Sequence, residues 1–361
     1  MRNRTILVIL TLAALLFSAL STLAATDLTA ALSYLKSQQN ADGGFGSGFS
    51  PDSSVGSTAD VVLAIVAAGG NPATFDQGGN TPLTYLAANA SKAATAGDLA
   101  KLIMATIAAG ENPRRFGGTD SVARLEALID RSGKIGGETD TFFTHCLAVL
   151  ALKSAMRPIP KGAVDYIKAA QQENGGWAWD GSTATAPDTN TTAFAVQALI
   201  AAGEPATSQA VTKALDYYRS SQNDDGGWPY QNPSAYGTDT DANSTAVTIQ
   251  ALIAAGQDPA AQSWAKTGGN TPLSALAALQ NQSGAFRWQA AIADDNLLAT
   301  VQALPAIARK AFPLATMEVG EATIAAPTTM PQTGGPALNP VLLLLSGLAL
   351  AGGGYALRRT R

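Results

Sequence analysis

Two kinds of segment alternate along this chain. Segments 192–200 and 245–253 carry no charge and are apolar on almost every side, whereas 161–170 and 213–220 set Lys, Arg and Asp beside a hydrophobic stripe. A helix that is apolar all round is buried all round, and an amphipathic helix covers it. Each uncharged segment runs into a stop signal, Ala67-Ala68-Gly69, Ala108-Ala109-Gly110, Ala201-Ala202-Gly203 or Ala254-Ala255-Gly256, with Pro72, Pro113, Pro205 or Pro259 just beyond. Glycine past the last helical turn, followed by proline, ends a helix. A second phrase alternates with the first: Gln39-Asn40-Ala41-Asp42-Gly43-Gly44-Phe45, Gln172-Glu173-Asn174-Gly175-Gly176-Trp177, Gln222-Asn223-Asp224-Asp225-Gly226-Gly227-Trp228 and Gln280-Asn281-Gln282-Ser283-Gly284-Ala285-Phe286. The repeating unit is therefore an amphipathic helix, a glycine-rich loop bearing an aromatic, then a buried helix. It predicts an all-α chain of about six hairpins, near 27–71, 81–112, 119–157, 161–205, 211–259 and 271–311. Wholly buried helices need an outer layer. Stacked hairpins form an open solenoid or a closed ring. The terminal units lack the polar caps of a solenoid, so a closed double ring is the expectation.

The two ends of the chain read differently. Arg2 and Arg4 precede an apolar run at 6–20 and a small-x-small site at 22–24, the pattern of a signal peptide over 1–25. The other reading is an uncleaved membrane anchor. Met330-Pro331-Gln332-Thr333-Gly334 precedes an uncharged stretch at 341–357 and then Arg358, Arg359 and Arg361. This resembles the sortase sorting signal of bacterial surface proteins, with Met330 where that signal has leucine. The resemblance implies sortase as a partner and cleavage between Thr333 and Gly334; a plain single-span anchor is the alternative. The expected organisation is a signal peptide at 1–25, a repeat domain at 26–312, a flexible stalk with the sorting motif at 313–335, and a hydrophobic anchor with a basic tail at 336–361. The expected address is the extracellular face, with the membrane contacted through the C-terminal segment.

Lys and Arg number 23 against 27 Asp and Glu, so the net charge is −4 and the basic footprint of a nucleic-acid binder is missing. Cys146 is the only cysteine and cannot form an internal disulfide. The only histidine, His145, is its neighbour on an apolar segment. Adjacent helix positions point about 100° apart, so the pair makes a poor zinc site and reads as buried structure, and no metal is expected.

At the glycine-rich loops the residues resemble a family. Lys161-Gly162, Tyr166, Gln172, Gly175 and Trp177, and again Lys213-Ala214, Tyr217, Gln222, Gly226 and Trp228, are similar to the Gln-Trp repeat of squalene cyclases and protein prenyltransferase β subunits. The resemblance implies an alpha/alpha toroid. It also implies that Gln172 and Gln222 tie down the next helix start, with Trp177 and Trp228 stacked over them. Phe45 and Phe286 replace Trp in the outer copies. Gly79-Asn80-Thr81-Pro82-Leu83 and Gly269-Asn270-Thr271-Pro272-Leu273 look like the cobalamin carriers of the same superfamily, which makes cobalamin a candidate ligand. No other cofactor is implied.

Triterpene cyclases of this family protonate an alkene with the second Asp of an Asp-x-Asp-Asp motif. The corresponding registers here are Asp188-Thr189-Asn190-Thr191, Asp241-Ala242-Asn243-Ser244 and Asp294-Asp295-Asn296-Leu297. Asn190, Asn243 and Asn296 occupy the acid position, and an amide cannot give up that proton. Asp and Asn before an apolar run cap a helix, so Asp188, Asp241 and Asp294 with their asparagines are read as caps first and weak catalytic candidates second. Aromatics two apart, Trp177 with Trp179, Trp228 with Tyr230 and Phe286 with Trp288, point to opposite sides of an extended loop. The first of each pair locks the hairpin. Trp179, Tyr230 and Trp288 are left at a rim, either to bind a flat or amphipathic ligand or to seal gaps between hairpins. The function expected from these residues is a non-catalytic, surface-anchored binding module. The alternative is a terpenoid cyclase or prenyltransferase-like enzyme acting on isoprenoids.

Overall fold

The computed structural model describes residues 26–321 apart from Tyr236. The chain divides into a unit spanning Met1–Ala322 and a second spanning Thr323–Arg361. The signal peptide expected at 1–25, the expected sorting residues Thr333 and Gly334 and the expected hydrophobic anchor lie outside the described residues. No described helix is long and apolar enough to cross a membrane.

Twelve α-helices are described, and they alternate between two layers. In chain order they are α1 (Leu28–Ser37), α2 (Val55–Ala67), α3 (Pro82–Asn89), α4 (Ala96–Ala108), α5 (Ser121–Glu126), α6 (Phe142–Ser154), α7 (Lys161–Ala169), α8 (Thr189–Ala201), α9 (Gln209–Ser221), α10 (Ala242–Ala254), α11 (Pro272–Ala277) and α12 (Leu297–Ile307). The even-numbered helices form the inner layer. Each packs against the next, and α12 packs back against α2, so the ring closes. At the seam the Asp27 N–H donates to Gln280 Oε1 at 2.9 Å, and Gln280 Nε2 donates to the Asp27 carbonyl at 3.0 Å. The only described sheet is an antiparallel pair of two-residue strands, β1 (Phe286–Arg287) and β2 (Asp295–Asn296).

One latch recurs in the hairpins. The loop aromatic is wholly buried at Phe45, Trp177, Trp228 and Phe286. Its backbone N–H donates to a threonine hydroxyl in the first turns of the inner helix: Thr58, Thr192, Thr245 and Thr300, at 2.8–3.0 Å. The indoles of Trp177 and Trp228 donate to carbonyls of the preceding outer helix, Ile167 O and Tyr218 O. The third hairpin uses His145 at the threonine position. Its Nδ1 accepts from the Ile135 N–H at 3.0 Å, so its Nε2 carries the proton and donates to Ala163 O at 3.1 Å. Burial holds this imidazole below the usual histidine pKa, which makes it a neutral structural group. Cys146 beside it is buried and unpaired.

The glutamine tie needs a correction of one residue. Gln222 bridges the Gly226 and Trp264 carbonyls, the latter in the segment that precedes α11. In the preceding hairpin, however, the bridge to Gly175 O and to Ala210 of the next outer helix comes from Gln171, while Gln172 turns inward to Ser182 O and Thr185 O. The second of two adjacent glutamines at a helix end points away from the neighbouring hairpin. Gln39 and Gln280 make the same bridge to Gly43 and Gly284. Those loop glycines let neighbouring hairpins touch. Gly175 has φ +93°, and a Cβ on it would lie 2.1 Å from Lys213 O; at Gly284 it would lie 2.2 Å from Ala30 C across the seam.

Packing continues past the domain end placed at residue 312. The Phe312 N–H donates to Gln197 Oε1, and its ring stacks against Phe194. Met317 N–H reaches Ser154 O, and Arg114 and Arg157 both donate to Gly320 O. Residues 313–321 are therefore a strap across the ring and not part of a free stalk.

Truncating the latch aromatics leaves sealed voids. Trp177→Ala and Trp228→Ala are expected to cost about 3–5 kcal/mol each. Trp179→Ala and Trp288→Ala, at half-exposed positions, are expected to cost less than about 1.5 kcal/mol. Thermal melts of the four single variants check this, and equal losses in both pairs would refute it.

Candidate active site

All six inner helices start at the same end of the ring. Each N-cap, Ser54, Thr95, Thr141, Asp188, Asp241 and Asn296, accepts a hydrogen bond from the N–H three residues on. Asp188 and Asp241 are caps by this geometry. Asn190 and Asn243 are not, since each sits in the first turn. The third register is corrected: Asp294 is exposed in the preceding loop, and Asn296 itself caps α12, because the short β1–β2 pairing delays the helix start.

The rim aromatics belong to the same layer. Trp179, Tyr230 and Trp288 are 50%, 42% and 41% exposed, while Trp177, Trp228 and Phe286 are fully buried. The backbone of each rim residue is fixed. Phe143, Thr189 and Ala242, at the starts of α6, α8 and α10, donate their N–H groups to the carbonyls of Trp179, Tyr230 and Trp288. Each loop thus reaches back over the preceding hairpin and lays its aromatic beside the cap of that hairpin's inner helix.

Tyr230 and Trp288 wall a pocket of about 360 Å³, which Phe49 joins; Trp179 lies outside it. The polar lining consists of Asn190, Asp241, Asn243, Ser244, Asn296 and Gln302. Asp241 is 3% exposed. Its Oδ1 accepts from the Ser244 N–H at 2.7 Å and its Oδ2 from the Ser244 hydroxyl at 2.9 Å. Burial pushes its pKa up to about 6 against those hydrogen bonds. Asp188 is also raised to about 6 by burial, against the pull of Thr191 and Tyr230, but it does not line the pocket. Burial, then the nearby Asp188 carboxylate, raises the Tyr230 phenol.

Beneath the pocket, on the ring axis, lies a second cavity of about 50 Å³ walled by Met104, Phe143, Phe194 and Phe312. It holds Asp60, which pairs with Lys101 at 2.6 Å. Gln302 lines both spaces, and its Oε1 accepts from Asn243 Nδ2 at 2.9 Å. The strap at 313–321 crosses the opposite end of the inner helices, so access is from the cap end. Among the described residues, no group of three or more His, Cys, Asp or Glu side chains could hold a metal ion.

Residues 120–318, more than half of the chain, match the model of the squalene-hopene cyclase C-terminal domain. The chain belongs to that family. Residues 3–91 also match the prenyltransferase alpha-alpha toroid domain, and the chain thus carries toroid signatures at both ends of its ring. No curated protein matches it. Among solved structures, the type II terpene cyclase MstE from Scytonema, without ligand, is 14% identical with a TM-score of 0.56, covering 78% of this chain and 96% of that one. A variant of that cyclase in complex with geranylgeranyl dihydroxybenzoate, its substrate, gives 0.53 at 14% identity, covering 78% and 95%. A protein from Actinoplanes gives 0.52 at 15% identity, covering 78% and 97%. At these identities the likeness establishes the fold.

Membership of a cyclase family overturns the expectation of a non-catalytic binding module. That expectation rested on the amides at the acid position and on treating caps and acids as exclusive. A buried cap can be both, because the desolvation that comes with its position raises the carboxyl and keeps part of it protonated near pH 6.

The two raised carboxyls set a pH dependence. Their folded pKa lies above the unfolded value, so their stabilising contribution is complete below pH 3.8 and is lost as pH rises through about 6. His145 acts in the opposite sense, losing stability as pH falls below its unfolded value near 6.5. Asp241→Asn keeps the cap and the histidine but removes one carboxyl. Its stability relative to the native chain, read from melting temperatures, is expected to improve by about 1 kcal/mol between pH 5 and pH 7. A difference that stays constant across that range would show that Asp241 titrates normally.

Proposed function

We propose that the chain is a terpenoid cyclase that holds an isoprenoid at the cap end of the ring and starts ring closure with the carboxylic acid of Asp241. The observation that carries this reading is a nearly fully buried carboxyl, raised to about 6, in the wall of an aromatic-lined pocket. Near pH 6 half of these carboxyls are neutral acids. The Asp241 proton passes to one carbon of a double bond, whose π electrons form the new C–H bond and leave a cation on the other carbon. The π electrons of a second double bond in the same molecule attack that cation and form the ring C–C bond. Loss of a proton from the final cation gives a neutral product, and reprotonation of the Asp241 carboxylate restores the acid. The faces of Tyr230, Trp288 and Phe49 suit a cation in transit, since aromatic quadrupoles attract positive charge. Asp60 lies in the lower cavity, salt-bridged to Lys101 at 2.6 Å. The family of the chain supports the same reaction class, as does its likeness in fold to a type II terpene cyclase solved with a geranylgeranyl substrate.

Incubation of the full-length chain with squalene and geranylgeraniol, with products identified by mass spectrometry, tests the reading. Cyclic product is expected, with a rate that declines as pH rises through about 6. Asp241→Asn still caps α10, so the fold is expected to survive while product formation falls by about 100-fold or more. Undiminished cyclisation by Asp241→Asn would remove Asp241 as the acid.

A further inference from the structure

We infer that Gln302 sets the length of chain this site accepts, as a partition across the ring axis between the cap-end pocket and the cavity beneath it. The inference rests on the reading of the cap-end pocket as a cyclase site and names the residue that decides which chain lengths fit. Three observations carry it.

The first is depth along the inner helices. Asn190, Asn243 and Leu298 stand two residues past the N-caps of α8, α10 and α12, and they line the upper pocket. Asp60, Lys101, Leu147, Phe194, Val247 and Gln302 each stand six residues past a cap, one from every inner helix, and all of them line the lower cavity. At about 1.5 Å per residue the two levels lie about 6 Å apart. The deeper level is a collar around the axis. Within that collar only Gln302 also lines the upper pocket, so the two spaces meet at its side chain.

The second is how the collar is held. Asp60 and Lys101 are paired with each other at 2.6 Å. Phe194 meets Phe143 edge to face, with ring centroids 4.9 Å apart, and stacks on Phe312 at 6.5 Å. Gln302 joins neither group. Its backbone carbonyl accepts from Gln250 Nε2 at 3.3 Å, and its side-chain Oε1 is drawn to the upper level by the 2.9 Å hydrogen bond from Asn243 Nδ2. Shortening this side chain therefore joins the two spaces and leaves the ion pair and the aromatic stack in place.

The third is what lies beyond the partition. Leu63, Met104, Val301 and Pro305 continue the wall of the lower cavity, and its charged groups satisfy each other, so a hydrocarbon chain suits it. Phe312 closes its far side, tied through its N–H to Gln197, nine residues past the cap of α8. The gain in depth is thus bounded. The lower cavity supplies about 50 Å³, whereas a cavity that holds a benzene ring measures roughly 150 Å³. With the space vacated by the Gln302 side chain added, the joined chamber gains about one five-carbon isoprene unit and not two.

The experiment compares farnesol, geranylgeraniol and geranylfarnesol, which lengthen by one isoprene unit at each step. It uses the full-length native chain and Gln302→Ala, Gln302→Val and Gln302→Met. Alanine and methionine both suit a helix interior, and methionine nearly conserves the volume of glutamine while losing its amide. Gln302→Ala is expected to raise kcat/KM for the longer member of one successive pair, relative to the shorter, by about 10-fold. Gln302→Val is expected to fall between Gln302→Ala and the native chain, and Gln302→Met to stay within about 2-fold of native. Ratios that do not change in Gln302→Ala and Gln302→Val overturn the inference and leave the role of Asp241 standing. An equal shift in Gln302→Met also overturns it, since the lost hydrogen bond from Asn243 and not the volume would then set the length. If no alcohol is cyclised by the native chain, the enzyme reading fails on its own, and calorimetric dissociation constants for the same alcohols judge the partition. The same graded shift in binding upholds it; no shift, or no binding by any of the chains, sinks it.

Discussion

Six helices with almost no polar face cannot end at an edge, and the rest of the structure follows from that constraint. An open row of such helices would expose an apolar flank at each end. Closure of α12 onto α2 removes both flanks, and the bridge from Gln280 to Asp27 pins the seam. The outer helices need only one apolar side, so they are amphipathic and, at α5 and α11, as short as six residues. Closure also points the starts of all six inner helices to one mouth. Each start needs a cap, and the packed ring withdraws those caps from water.

The chemistry grows out of this arrangement. A serine or threonine cap has no charge to lose when it is buried. Asp188 and Asp241 do, and burial raises both to about 6. Only Asp241 also faces an open pocket, because the loop from 286 to 296 leaves a gap there that Trp288 and Phe49 border without filling. Position in the ring thus separates two carboxyls that look alike in sequence.

The latch shows how a repeat tolerates drift. Four hairpins hold the loop aromatic through a threonine hydroxyl, and the third holds Ile135 through His145 Nδ1. Both groups accept a backbone N–H in a dry site, and either does so only while neutral. The lone histidine next to the lone cysteine is therefore a substitute for threonine. The threonine register at 58, 192, 245 and 300 stands at a fixed distance after each cap, but in sequence a threonine within an apolar helix resembles neutral filler.

The sequence by itself determined the elements: six hairpins, their stop glycines, the caps at Asp188 and Asp241, and the division of the loop aromatics into a buried and an exposed set. These are local matters, decided by helical period, by the conformational freedom of glycine and by hydrogen bonds within a few residues. Tertiary structure decided what depends on neighbours distant in sequence. It chose Gln171 over Gln172, because only one of the two faces the next hairpin. It moved the third cap from Asp294 to Asn296, because β1 pairs with β2, and it drew residues 313–321 onto the ring. It also separated Asp241 from Asp188 as the carboxyl that meets a pocket, since burial and access are properties of the closed ring, and no stretch of sequence carries the dielectric around a side chain.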